Sequence, residues 1–208
     1  VHGNAAVEIG PAMTITGNVT ASRTPVLNQG TIVGDQISSE MDSLEPEIAF
    51  PELATGFYGW TYPCTGTDGA PSLCEAQPLI HDTLLLDVDG DPDTPEETIV
   101  LFSSDISSTN NPARLFYLDL EIPDTSLTAF HVYGTVIIPP EYPSSTVSLK
   151  GTFMIEPLST STHHFPALIS AKSLNMTFRG DLAEKSASIA DNQITGLIYV
   201  FGDLAISS

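Results

Sequence analysis

Prolines and glycines punctuate the chain at short intervals, and between them lie brief runs rich in Val, Ile, Thr, Phe and Tyr. Runs of this length and composition, bounded by turn residues, read as β-strands. The pattern predicts strands over Met13–Thr20, Thr31–Ser38, Leu79–Val88, Thr98–Ser103, Arg114–Ile122, Thr128–Ile138, Thr146–Ile155, Ser173–Phe178, Gln193–Phe201 and Asp203–Ile206. Only Asp181–Asp191 has a helical flavour, with Asp181 placed to cap it and Glu184 three residues on to complete a capping box. Asp42–Leu53 reads as a connector, residues 55–78 as a second irregular region, and no internal repeat is read. The expected fold is all-β: an antiparallel β-sandwich of jelly-roll or Ig-like kind forming a single domain over residues 1–208, with a barrel as the alternative.

Composition narrows the function classes. The chain has 208 residues, 41% of them hydrophobic, enough for one sizeable core. Twenty-six acids face only six bases (Arg23, Arg114, Lys150, Lys172, Arg179 and Lys185), a net charge of -20. Nucleic-acid binding needs clustered Lys and Arg to release counterions, so that class is excluded, and anionic membrane surfaces are disfavoured for the same reason. No apolar run approaches the roughly 18 residues of a membrane-spanning helix. The first residue is Val1, as a removed signal peptide would leave it. Cys64 and Cys74, with nine residues between them in a stretch rich in turn residues, suggest a disulfide worth roughly 2–3 kcal/mol. Together these features predict a secreted or cell-surface protein.

The strongest chemical signal is Asp87–Glu97, D-V-D-G-D-P-D-T-P-E-E. Asp87, Asp89, Asp91 and Asp93 recur at every second position, Gly90 stands where the chain must bend, and Glu96 and Glu97 follow. So many like charges on one turn repel unless a cation answers them, and Ca²⁺ takes six to eight oxygens from loops of this kind. The six acids are the expected metal ligands and Ca²⁺ the expected cofactor. The apolar runs on either side predict two arms of one hairpin with the acids at its tip. The loop resembles the D-x-D-G-D-x-D calcium loops of dockerin-like and thrombospondin type 3 repeats over about a dozen residues. It departs from an EF-hand, since its glycine is fourth rather than sixth, Pro92 and Pro95 interrupt it, and Thr98 stands at position twelve.

Other constellations carry less. Phe57, Tyr58, Trp60 and Tyr62 form an aromatic run that could serve as a platform for a sugar ring or other ligand. His163 and His164 are neighbours, and in a strand neighbours point to opposite faces. His81 and His131 fall in β-like runs and are expected half-buried. His2-Gly3 is similar to the start of copper monooxygenases that cut polysaccharides; with Val1 ahead of it the histidine nitrogen is an amide, so that chemistry is not expected unless the mature end is His2. Asn18 and Asn175 open N-glycosylation sequons. No nucleophile elbow, zinc-protease helix motif, C-x-x-C or phosphate loop is present, and no catalytic set is assigned.

These readings converge on a non-catalytic, secreted, calcium-binding β-protein that self-associates as a structural subunit of an extracellular filament, sheath or surface layer. A calcium-dependent module for carbohydrate or another ligand is the alternative.

Overall fold

The computed structural model describes residues 2–3, 7–11, 13–21, 27–34, 36–38, 61–65, 71–91, 93, 95–159 and 165–208. The N-terminal part contributes β1 (His2–Gly3), β2 (Val7–Ile9), β3 (Thr14–Thr16), β4 (Val19–Ala21), β5 (Leu27–Asn28), β6 (Thr31–Val33) and β7 (Gln36–Ser38). A hairpin follows, β8 (Thr61–Thr65) with β9 (Pro71–Glu75). The body is built from β10 (Gln77–Pro78), β11 (Ile80–Leu86), β12 (Glu97–Ser103), β13 (Leu115–Tyr117), β14 (Leu127–Val132), β15 (Thr135–Ile138) and β16 (Thr146–Ile155). It is completed by β17 (Leu168–Ser170), β18 (Ser173–Phe178), the short helix α1 (Asp181–Lys185), β19 (Gln193–Ile194), β20 (Ile198–Val200) and β21 (Leu204–Ser207).

The all-β expectation holds, whereas the expected antiparallel pairing does not. Among the described residues only β11 with β12 and β8 with β9 run antiparallel; the other pairings are parallel. One large sheet runs β10-β13-β15-β17-β20-β1-β4-β7, the other β11-β12-β14-β16-β18-β21-β2-β5. Parallel neighbours cannot be joined by a tight turn and need a crossover. Here the crossover is a strand of the opposite sheet, because from β13 to β18 successive strands alternate between the two. Over this stretch the chain therefore winds as a β-solenoid, each coil laying one strand on each sheet. The N-terminal coils add a third strand each, β3 and β6, paired in a small sheet of their own. Neither sheet closes into a barrel along this path.

The two sheets share one core. Phe102, Phe130 and Phe153 of one pack with Phe116, Val136, Ile138 and Leu168 of the other. Parallel register places equivalent positions side by side, so His81, Phe102, Phe130 and Phe153 form one row across four strands. Ring centroids are 4.6 Å apart for Phe102–Phe130 and 5.5 Å for Phe130–Phe153, both stacked. A second cluster lies on the outer face of the β12–β14 sheet, where Leu182 of α1 and Ile189 cover Ile99, Leu127 and Ala129.

Several strands expected to be continuous are divided at glycines, which turn the corners of the coils. Met13–Thr20 breaks at Gly17, Thr31–Ser38 at Gly34, Thr128–Ile138 beside Gly134 and Gln193–Phe201 beside Gly196. Thr146–Ile155 and Ser173–Phe178 form as expected. Part of the region read as irregular is the β8–β9 hairpin.

The structure also exposes a repeat that the sequence reading missed. Thr14, Ile15 and Thr16 stack on Thr31, Ile32 and Val33. T-I-T-G-N and T-I-V-G-D recur with Gly17 above Gly34. A side chain at Gly34 would come within 2.5 Å of the Gly17 carbonyl oxygen, so the stacked corner admits only glycine there.

Candidate functional site

The acidic segment lies where the apolar runs on either side place it. β11 and β12 pair from Ile80↔Ser103 to Leu86↔Glu97, leaving residues 87–96 as the tip. Val88 is buried in the outer cluster with Ile99 and Leu182 and pins the tip to the sheet. Asp87 and Asp89, on either side of Val88, are exposed to solvent. Asp91, Asp93, Glu96 and Glu97 are exposed as well.

Three of the carboxylates are engaged with their own backbone. Asp87 Oδ1 accepts from the Gly90 amide at 2.6 Å, and Gly90 adopts the left-handed φ of +74° that this turn requires. Asp89 Oδ1 accepts from the Asp91 amide and Asp91 Oδ1 from the Asp93 amide, each at 3.0 Å. These are successive Asx turns, the local bond that makes Asp a turn residue. Among the described residues no three Asp, Glu, His or Cys side chains gather around a common point that could hold a metal ion. The tip thus offers calcium-type ligands without a preformed cage.

Cations that sequence distance conceals stand beside this hairpin. Lys185 Nζ lies so near the tip that a Cβ on Gly90 would be 3.6 Å from it. Arg179 feels the carboxylate of Glu97, in the strand pair next to the tip, and grips Asp181 with two parallel bonds, Nε to Oδ1 at 2.8 Å and Nη2 to Oδ2. That fork holds the Asp181 carboxyl below the usual carboxylate range and raises the Arg179 guanidinium further. Asp181 therefore does not cap α1 as expected: Gly180 occupies the cap position and no side chain bonds there. Asp181, Glu184 and Lys185 nonetheless match the helix dipole in sign, acids first and base last. Nothing in the local sequence announced Lys185 and Arg179 as partners of the hairpin, because about ninety residues of winding separate them from it.

The remaining candidates are distributed elsewhere. Cys64 and Cys74 lie on the paired strands β8 and β9, where Cys64 opposes Ser72 and Cys74 opposes Tyr62, so the two are diagonal neighbours. Phe57, Tyr58 and Trp60 lie outside the described residues, as do His163 and His164; Tyr62 belongs to β8. His81 and His131 are exposed rather than half-buried. His81 stands on the outermost strand at the end of the phenylalanine row, and His131 Nε2 meets the Tyr133 hydroxyl at 3.2 Å. His2 is in β1, between β20 and β4. Asn18 and Asn175 are both exposed.

Comparison with known proteins finds no matching family model, no matching curated protein and no matching solved structure. No helix among the described residues is long and apolar enough to cross a membrane.

Proposed function

We propose that this chain is a non-catalytic, secreted structural subunit that self-associates into an extracellular assembly such as a filament, sheath or surface layer. The observation that carries the reading is the open edge at β11. This strand is seven residues long and pairs with β12 on one side only among the described residues. Ile80 and Leu85 on it are 52% and 60% exposed. The Thr83 N–H on this strand donates to the Asp82 carboxylate at 2.8 Å. A sheet edge that offers outward N–H and C=O groups and apolar side chains is a template for pairing with another chain. A solenoid adds coils by repeating one pairing geometry, so the contact that joins coil to coil also suits contact between subunits.

Charge decides the conditions. A net charge of -20 on 22.1 kDa opposes close approach of copies. Calcium at the Asp87–Glu97 tip would reduce that repulsion next to the open edge. Asp87, Asp89 and Asp91 can each keep the amide bond through one oxygen and turn the other to an ion. With no three acids gathered beforehand among the described residues, an affinity in the range of about 10⁻⁴–10⁻³ M, that of extracellular modules, is expected.

The test is the light-scattering mass of the protein in millimolar calcium, in excess chelator, and in sodium chloride of matched ionic strength. A mass well above 22.1 kDa that falls in chelator and is not restored by sodium chloride supports a calcium-linked assembly. A single-chain mass in all three overturns the reading.

A further inference from the structure

Stack order and chain order disagree at one place. The strands that follow β20 and β21 in the two sheets are β1 and β2, from the opposite end of the chain. Val7, Glu8 and Ile9 lie in parallel register with Leu204, Ala205 and Ile206, and His2 and Gly3 with Tyr199 and Val200. The Gly10 amide donates to the Ile206 carbonyl at 2.7 Å and the Ser208 hydroxyl to the Pro11 carbonyl at 3.2 Å. The N-terminal strands thus continue both sheets beyond the C-terminal coil, with the same parallel pairing that joins the other coils.

They also form a unit of their own. Val7, Ile9 and Val19 are fully buried in a small cluster with Ile15 and Ile32, separate from the main core and sharing Met13 with it. The repeat of β3 on β6 and of β4 on β7 stacks this unit on itself. Between Ser38 and the next described strand lie residues 39–60, and the chain has to return from the β5–β7 end of the stack to the β10–β11 end. Eight strands at about 4.8 Å spacing make that stack about 34 Å tall. Twenty-two residues can reach at most about 75 Å. The connection therefore does not dictate which copy's C-terminal edge the unit occupies.

We propose that the N-terminal coils exchange between copies, β1 and β2 of one chain stacking on β20 and β21 of a second copy, head to tail. This rests on the assembly reading above and names its partner as another molecule of the same chain. The contacts are identical within and between chains, so competition is set by concentration. A tethered segment has an effective concentration on the order of millimolar. Dilute refolding gives the closed chain, and exchange takes over as chains fold together near that concentration. Because donor and acceptor surfaces differ, the contact is heterologous and propagates.

Adjacent parallel positions are close enough for a disulfide, and Glu8 with Ala205 is such a pair, exposed and half-buried respectively. The Glu8→Cys variant is made in heavy-nitrogen medium and the Ala205→Cys variant in ordinary medium. The two are unfolded, mixed, refolded over a range of concentrations, oxidised and digested. The expected result is a cross-linked peptide pair joining labelled position 8 to unlabelled position 205, rising with refolding concentration. The Glu8→Cys/Ala205→Cys double variant, refolded dilute, is expected to close within one chain. Closure of the double variant without any mixed cross-link up to about millimolar chain overturns the exchange, and failure of the double variant to cross-link at all overturns the pairing beneath it. A large calcium-dependent mass without mixed cross-links removes the exchange alone, whereas a single-chain mass under every condition removes the assembly reading as well.

Discussion

Gly151 of β16 lies beside Thr128 of β14, so close that a Cβ on Gly151 would stand 1.7 Å from the Thr128 carbonyl oxygen. The obstacle is backbone in the middle of a sheet, which cannot swing aside as a side-chain tip could. Gly151→Ala is therefore expected to destabilise the fold by at least the 1–3 kcal/mol, roughly, of an overpacked core. A urea midpoint equal to wild type would show that the two strands do not approach as described.

Phe130 stands in the middle of the aromatic row, stacked on Phe102 and on Phe153. Phe130→Ala removes both contacts and opens a cavity between the sheets, with an expected loss of about 3–5 kcal/mol. Phe130→Leu keeps most of the volume and is expected to lose clearly less. Equal losses in denaturant melts would argue against a packed row.

Tyr142 is buried, and its hydroxyl oxygen accepts the Ile122 amide at 2.8 Å. Tyr142→Phe leaves that buried N–H without its acceptor and is expected to cost about 1–3 kcal/mol. Burial, the largest influence, raises the Tyr142 pKa above its ordinary value near 10. The native state thus favours the protonated phenol. Its stabilising share is complete below pH 10 and is lost as pH rises through the raised pKa. The difference between wild type and Tyr142→Phe, followed by thermal melts, is expected to shrink over that alkaline range; a constant difference would refute the titration.

Asp181 behaves oppositely in pH. Arg179 lowers its pKa, so its contribution is present above the ordinary carboxylate range and is lost as pH falls through the lowered value. With the two side chains 28% and 46% exposed, solvent screening keeps the pair below about 1 kcal/mol. A double-mutant cycle with Arg179→Gln and Asp181→Asn should return a small coupling at neutral pH and none in strong acid. A coupling of several kcal/mol would contradict the exposed geometry.

The Asp89→Ala/Asp91→Ala variant tests the ion reading directly. The wild-type melting temperature is expected to rise with millimolar calcium, and that rise is expected to vanish in the variant. An identical melt in calcium and in chelator for the wild type would remove calcium from the account.

Much of the local structure was legible along the chain. Thr146–Ile155 and Ser173–Phe178 carry enough β-branched and aromatic residues, with clear turn residues outside them, to announce themselves. The 80–103 hairpin was legible because a cluster of turn-forming residues separates two apolar runs that have little choice of partner. The T-I-T-G-N and T-I-V-G-D repeat was equally available, yet its two copies are only five residues long and differ at the third and fifth positions.

What the sequence alone determined is strand character, turn position and charge, because these depend on neighbouring residues: steric preference at β-branched positions, Asx bonding at Asp, conformational freedom at Gly. What only the tertiary structure decided is which strands lie together. An alternating pattern specifies a buried face without specifying the direction of the strand beside it, so it is equally compatible with parallel winding and with antiparallel return. The placing of Lys185 and Arg179 beside the acidic hairpin, and of Val7–Ile9 beside Leu204–Ile206, is likewise set by how coils stack in space. Those contacts join residues that are neighbours in the wound chain and far apart along the sequence, which is why they emerge only once the chain is wound.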